Sequence, residues 1–157
     1  ENSVAAEITY PERIETPKWN KSALREAIIN AIVHNDYTFE VPPKFEIFPD
    51  RLEITSFGSI PESLTTEEFF TGISIPRNRE LMRVFRDLEL VESLGSGIPR
   101  ILKSYSRDCF VFMENFTRII LPIDSTYLQT TQKTTQKTTQ KTTQKTTQKT
   151  DRKQTEK

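Results

Sequence analysis

The sequence has few of the features that mark disulfide-rich or membrane-spanning proteins. Cys109 is its single cysteine, so no disulfide can form within the chain. The cysteine lies in the apolar run CFVFM, which predicts burial rather than reactivity. No apolar run approaches the roughly 20 residues that a membrane-spanning helix needs, and no signal-peptide pattern is present. These absences favour a cytoplasmic location and predict no membrane partner.

Apolar residues are also scarce, at 34% of the chain, and the shortage is concentrated at the C-terminus. From Thr130 to Lys149 the sequence repeats TTQK five times. A period of four fits neither a helix nor a strand, threonine forms helices poorly, and nothing apolar is available to bury. We therefore predict a disordered tail over residues 126–157.

The zero net charge hides an asymmetry between the body and the tail. From residue 130 onward the chain has eight Lys or Arg and two acidic residues, so this segment carries +6 and the rest carries −6. A basic tail on an acidic domain indicates an anionic partner. Nonspecific binding to DNA through release of counterions is one interpretation. A solvated run of charge without a partner is the other.

A chain of 157 residues is long enough for one domain with a real core. The first residue is Glu1 rather than methionine, so we expect a fragment of a longer protein. Pro11 and Pro17 interrupt the beginning of the chain, which we assign to an N-terminal segment with a short strand near 6–10. The expected organisation is an N-terminal segment (1–20), a folded domain (21–125) and the tail (126–157).

Residues 23–37 (ALREAIINAIVHNDY) predict one amphipathic helix, capped at its start by Asn20 or Ser22. Apolar residues three and four positions apart form its inner stripe: Leu24, Ala27, Ile28, Ala31 and Ile32. Along a neighbouring edge, polar side chains stack in a row at intervals of four: Glu26, Asn30 and His34.

The rest of the body alternates between strands and helices. Two antiparallel hairpins are predicted, over 44–57 and 109–122. Helices are predicted after the capping box Thr65–Glu68, along the apolar stripe Leu81, Val84, Phe85 and Leu88, and from Gly95 onward. This mixed order predicts an α+β fold. Its form is a two-layer sandwich of an antiparallel-rich sheet with helices on one face.

The row on the first helix has a functional and a structural interpretation. The amide oxygen of Asn30 is a hard ligand suited to Mg²⁺ that bridges phosphates, Glu26 could orient or deprotonate a water, and His34 could contact a phosphate. A solvent-exposed helix edge, with a histidine favourable to the helix dipole, explains the same spacing.

Glycines mark two further candidate sites. Gly95, Ser96 and Gly97 precede a helix whose free N–H groups could bind phosphate, and Gly58 could allow a ligand to approach the backbone. Both could equally be ordinary turns. Arg77 and Arg79 could bind phosphate or simply be solvated.

Four segments, in order, resemble a bacterial and archaeal family whose members carry the labels of transcriptional regulator or RecG-related ATP-dependent DNA helicase. They are ALREAIINAIVHNDY, DRLEITSFGSIPESLT, SIPRNRELMRVF and VESLGSGIPRIL. The resemblance runs from about Trp19 to Pro122. Neither a Walker A motif nor a helicase motor set is present, so we do not expect helicase activity.

The domain also resembles the GHKL ATPases, the histidine kinase-like superfamily that includes gyrase and heat-shock chaperones. By position in its motifs, Glu26 matches the catalytic Glu, Asn30 the Mg²⁺ ligand, Gly58 the base-binding loop, and Gly95 and Gly97 the phosphate loop. Ser56 stands where the superfamily has an adenine-binding Asp, and Ser59 where it has a second glycine. The resemblance thus implies ATP with Mg²⁺ as ligand, and it supports the fold better than turnover.

The resemblance implies an ATP-binding module of a DNA-binding transcriptional regulator. DNA would be contacted by the tail or by domains outside this chain, such as an N-terminal Schlafen-like AlbA_2 domain or a C-terminal winged helix. Two alternatives remain. One is a slow Mg²⁺-dependent ATPase; the other is a degenerate domain that serves homodimerisation or interdomain contact without binding ATP.

Overall fold

The computed structural model describes residues 2–9, 12–91 and 95–131. It divides the chain into two compact units. Of the described residues, 2–9, 12–18 and 124–131 belong to one unit, and those from Trp19 to Ile123 belong to the other. The predicted N-terminal segment, residues 1–20, therefore differs by two residues from the boundary of the larger unit.

The first unit contains a two-stranded antiparallel hairpin of β1 (Val4–Thr9) and β2 (Glu12–Pro17). The first of these strands covers most of the short strand predicted near 6–10, whereas the second was not predicted. Residues 125–131 form a helix, α5, so the first residues of the predicted tail are helical. The remainder of the tail, from residue 132 onward, lies outside the described residues.

The larger unit is an α+β sandwich, as the sequence predicts. Its four antiparallel strands are β3 (Lys44–Ile47), β4 (Arg51–Phe57), β5 (Phe110–Phe112) and β6 (Phe116–Pro122), in the spatial order β3-β4-β6-β5. Its helices are α1 (Lys21–Val33), α2 (Thr66–Thr71), α3 (Arg79–Asp87) and α4 (Gly97–Leu102). Both predicted hairpins are therefore confirmed. So is the capping box, in which Thr65 and Glu68 bond each other's backbone N–H.

Helix α1 is the centre of the helical layer, because it packs against β4, α3 and α4. Asn20 caps it by accepting a hydrogen bond from the backbone N–H of Ala23, at 3.0 Å. Its buried stripe is Ala23, Ala27 and Ala31, whereas Leu24, Ile28 and Ile32 are half-buried. The stripe is therefore rotated toward the small side chains, which allow neighbouring elements to approach closely.

The core between the layers contains Ile54 and Leu121, both almost fully buried, and Trp19, which is 2% exposed. The indole Nε1 of Trp19 donates a hydrogen bond to the Leu121 carbonyl at 2.9 Å, as a buried indole N–H requires. Cys109 is buried, as predicted, and burial raises the pKa of its thiol to about 12. A thiol with that pKa stays protonated and unreactive at neutral pH.

Two predictions of burial were wrong. The stripe on α3 is not a core stripe, because Val84 is 46% and Leu88 62% exposed, and Met82 is the buried residue of that helix. On β4, Leu52 and Ile54 alternate with Glu53 and Thr55, which predicts that Glu53 faces water, but Glu53 is 6% exposed. Its carboxylate is held by Arg51 at 2.7 Å and Arg118 at 3.2 Å. Two guanidinium groups thus replace the solvent that alternation predicted.

Within the described residues, no helix is both long and apolar enough to cross a lipid bilayer.

Candidate functional site

Glu26 and Asn30 lie one turn apart on α1, which ends at Val33 rather than near residue 37, so His34 is its C-cap residue. Glu26 is already paired with another side chain. Arg100 on α4 donates a hydrogen bond from Nη1 to Oε1 of Glu26 at 2.8 Å. Glu26 is 8% exposed, so its carboxylate lies between the two helices rather than in solvent. An ion-paired carboxylate at this depth is poorly placed to activate a water.

Asn30, one turn later, lies where α4 crosses α1. Its Nδ2 donates to the Glu26 carbonyl at 2.8 Å. A Cβ at Gly97 would lie 2.6 Å from that Nδ2 and 3.0 Å from Oε2 of Glu26. Glycine at position 97 is therefore explained by close packing of α4 against α1, which leaves no space for a side chain. The Oδ1 of Asn30 accepts no hydrogen bond from the described residues, so it is available to a ligand.

Gly95 is also explained by a close contact. Gly72, at the C-terminus of α2, and Gly95 both have positive φ, of 91° and 85°. A Cβ on either residue would overlap the carbonyl oxygen of the other. The two glycines allow these turns to meet back to back. Ser96 precedes α4 without a side-chain capping hydrogen bond.

The loop after β4 is held mostly by its own strand neighbours. Ser56 is buried and its Oγ donates to the Thr117 carbonyl at 3.4 Å. Gly58 has a φ of 101°; its N–H donates to the Asn115 carbonyl at 2.7 Å, and its own carbonyl accepts from Thr117. The backbone groups of Gly58 are therefore already paired within the sheet.

The space beside Gly58 is filled by Arg77. A Cβ at Gly58 would overlap the guanidinium, so the glycine is what admits this side chain. Arg77 donates from Nη1 to the His34 carbonyl at 3.1 Å and from Nη2 to the Ser59 carbonyl at 2.6 Å. The guanidinium thus joins the C-terminus of α1 to the loop after β4. Nothing in the sequence distinguishes this arginine from Arg79, which is also exposed.

His34 is the last member of the row and is neutral at pH 7. Burial, and secondarily the nearby charge of Arg77, lower its pKa to about 4, against an opposing hydrogen bond with the Ile75 backbone. Its Nε2 lies 3.4 Å from the Ser74 hydroxyl oxygen. The imidazole can therefore donate or accept one hydrogen bond there, but it adds no charge.

These segments meet in one cleft whose cavity has a volume of about 80 Å³. Six predicted site residues line it: Asn30, His34, Ser56, Gly58, Gly95 and Gly97. Glu26 and Ser96 do not. The apolar part of the lining includes Ile54, Phe69 and Phe110. Among the described residues that line the cleft, Arg77 is the one that carries a charge at neutral pH.

Sequence reasoning missed the two asparagines that fix one end of the cleft. Asn35 is fully buried; it accepts from the Phe57 N–H at 2.8 Å and donates to the Val41 carbonyl at 2.8 Å. Asn78 is the N-cap residue of α3, but its side chain makes no capping bond and instead donates to the Val33 and Asn35 carbonyls. These bonds fasten the end of α1 to β4 and to the start of α3, and no spacing pattern signals them.

The donor set offers Mg²⁺ little by itself. Within the described residues there is no group of three or more His, Cys, Asp or Glu placed to hold a metal ion. The amide oxygen of Asn30 fits as one hard ligand. The remaining ligands would have to come from waters and from the phosphates of a bound nucleotide. Proteins usually add one or two carboxylates to such a set, and none is among the described residues that line the cleft.

Residues 41–114 match the model of a family described as "Putative ATP-dependent DNA helicase recG C-terminal". The segment is similar to a RecG-related, ATPase-like domain. The matched residues include the Ser56–Gly58 loop and Gly95–Gly97, but the row on α1 precedes them. A search of curated proteins gave no match.

The crystal structure of the DIP2311 protein from Corynebacterium diphtheriae is also similar. It superposes with a TM-score of 0.63 at 22% identity, over 77% of this chain and 26% of that one. At this identity the likeness shows the fold alone. The present chain spans about a quarter of the length of that protein.

Proposed function

We propose that the cleft binds a nucleotide, ATP with Mg²⁺, and that the chain is the nucleotide-responsive module of a DNA-binding transcriptional regulator of GHKL-like ancestry. The observation that carries the proposal is the cleft itself. Residues that are distant in sequence, from α1, from the end of β4 and from the start of α4, line one cavity. The match of residues 41–114 to an ATPase-like family supports the same ligand.

In this proposal Asn30 supplies a ligand to Mg²⁺ and the phosphates lie along α1, near Gly95 and Gly97. The base lies toward Ser56. The metal, when bound, would neutralise phosphate charge and fix the orientation of the phosphates. Asn30 suits this role because its Nδ2 is fastened to the Glu26 carbonyl, which holds the amide plane in place.

We propose binding rather than turnover because Glu26 is paired with Arg100. A slow ATPase would require this carboxylate to exchange its guanidinium partner for a water. The proposed output is therefore a change in stability or conformation on binding.

A degenerate domain that binds no nucleotide is the second candidate. The contact between Gly72 and Gly95 favours this second candidate. Each turn already fills the space beside the other glycine, which a phosphate would otherwise occupy. A cavity of about 80 Å³ favours it too, since sites for cofactors commonly enclose about 300–1,000 Å³. Nucleotide binding requires this cleft to widen.

Thermal unfolding with and without Mg-ATP separates the two candidates. A ligand that binds only the native state, at 100 times its Kd, stabilises that state by about 2.7 kcal/mol and raises Tm. Asn30→Ala should abolish the Mg²⁺-dependent part of the shift, and Asn30→Asp, which keeps an oxygen ligand, should retain most of it. No shift at millimolar Mg-ATP would refute nucleotide binding. Phosphate release equal in wild type and Glu26→Gln would refute turnover by Glu26.

We propose that DNA is bound by other domains and, weakly, by the basic tail. Each phosphate that the tail neutralises should add about 0.9 to the slope of log affinity against log salt. A variant of equal length in which the tail lysines are glutamine should lose both the affinity and the slope. Equal binding by this variant, or affinity that ignores salt, would contradict the role of the tail.

A further inference from the structure

Among the described residues that line the cleft, one side chain at its edge carries a charge. No Asp, Glu or Lys is among the described residues that line the cavity, and His34 is neutral at pH 7. The polar groups that remain are hydroxyls and the Asn30 amide. A cleft of this kind suits a ligand with an apolar or flat body and an anionic group placed at the cation.

The Arg77 guanidinium is fixed in position without being neutralised. Its two hydrogen bonds go to backbone carbonyls, which carry no net charge. Arg77 forms no salt bridge within the part of the chain that the structure describes, although the exposed carboxylate of Asp36 is near enough for the charge of Arg77 to contribute to lowering its pKa. A guanidinium has five N–H donors, so several remain for a ligand. Because the side chain is already ordered, binding an anion would cost it little conformational entropy.

Helix α1 places this cation in line with Asn30. His34 follows Asn30 by four residues, or about 6 Å along the helix, and Arg77 is bonded to the His34 carbonyl. Asn30 and the carbonyl that Arg77 contacts are thus about one helical turn apart. The neutral imidazole of His34 lines the same cleft.

We infer that Arg77 binds the anionic part of the ligand. In a nucleoside polyphosphate, the phosphate chain runs along α1 from Arg77 to Asn30. The phosphate nearest the nucleoside contacts the guanidinium, because Arg77 lies against Gly58 in the loop toward which the base lies. This inference rests on the proposed nucleotide function. It assigns a specificity-determining role to Arg77, so that the cleft selects ligands by their phosphate chain more than by their base.

Isothermal titration of the 157-residue chain with Mg-ATP, ADP, AMP and adenosine tests the inference. Arg77→Gln should weaken ATP binding about 10- to 100-fold, the usual effect of losing a charge-assisted hydrogen bond, and should leave adenosine binding unchanged. The matched control is Arg79→Gln. Arg79 is exposed and lies two residues after Arg77, so this variant removes the same charge from a neighbouring position. It should bind ATP within about twofold of wild type.

Arg77→Lys separates recognition from structure, because it keeps the charge but cannot bridge both carbonyls. It should retain more ATP affinity than Arg77→Gln even if both variants unfold at the same lower temperature. Equal ATP affinity in Arg77→Gln and Arg79→Gln would overturn the role of Arg77 while leaving nucleotide binding intact. Equal weakening of ATP and adenosine by Arg77→Gln would overturn it too. Absence of ATP binding by the wild type would instead refute the proposed function itself.

Discussion

The two ends of the polar row on α1 serve different purposes. At its N-terminal end, Glu26 is covered by α4 and neutralised by Arg100. At its C-terminal end, His34 faces the cleft beside Arg77, whose charge no described carboxylate pairs with. The same four-residue spacing thus builds a helix–helix contact at one end and a candidate binding surface at the other. Spacing identifies a face, and the neighbouring elements decide its use.

The largest effect on stability is expected at the contact between Gly72 and Gly95. Gly95→Ala should destabilise the fold by about 3 kcal/mol, because it adds a Cβ against the Gly72 carbonyl at a positive φ. Urea unfolding measures the change. Ser63→Ala, at an exposed position of the loop before α2, should stay within about 0.5 kcal/mol. Similar losses in both variants would show that the Gly72–Gly95 contact is not a strict constraint.

At the His34 end of the row, the charge state of the histidine should make the stability of the fold depend on pH. His34 is the only histidine, and its folded pKa of about 4 lies below the ordinary value of 6.5. The unfolded chain therefore binds a proton that the folded chain rejects, so stability is full above pH 6.5 and falls as the pH drops toward 4. The loss is at most about 3 kcal/mol. Urea unfolding between pH 5 and 7 measures the slope.

His34→Gln should flatten that slope above pH 5, where few carboxylates titrate. Arg77→Gln should make it shallower, because removing the neighbouring charge brings the His34 pKa closer to its ordinary value. A slope that is unchanged in His34→Gln would assign the pH dependence to other groups.

A smaller effect on stability is expected from the ion pair between Glu26 and Arg100. Arg100→Met should cost about 2 kcal/mol, because it leaves the buried Glu26 carboxylate without its cation, and adding Glu26→Gln should recover much of this loss. Glu67 and Arg107 form a matched pair at 2.9 Å with both side chains more than half exposed. Breaking that exposed pair should cost 0–1 kcal/mol. Equal costs would mean that the covering by α4 does not matter.

Local signals in the sequence were sufficient for the elements of the larger unit. The Thr65–Glu68 capping box, the Asn20 cap and both hairpins of the sheet depend on residues close together in the chain. Tertiary context changed what local patterns predicted. The stripe through Val84 and Leu88 has helical period, but both side chains are exposed.

The sequence likewise predicts only part of the candidate site, because residue type is local whereas the partner of a side chain depends on tertiary structure. Asn30, Gly58, Gly95 and Gly97 have residue types that suit a ligand site, and they do meet in one cleft. The sequence does not decide whether Arg77 binds a ligand or is solvated, because an arginine after a proline does not indicate which carbonyls it will bond. The pairing of Glu26 with Arg100 joins residues 74 positions apart, which no periodicity can predict.

Trp19 gives the chain a built-in spectroscopic reporter. It is the single tryptophan, and it lies in the core of the unit from Trp19 to Ile123 with its indole hydrogen-bonded to Leu121. Its emission should shift to longer wavelength when this core opens to water. Selective excitation of tryptophan would therefore follow the folding of the unit that contains the cleft, while the N-terminal hairpin and the repeats stay optically silent.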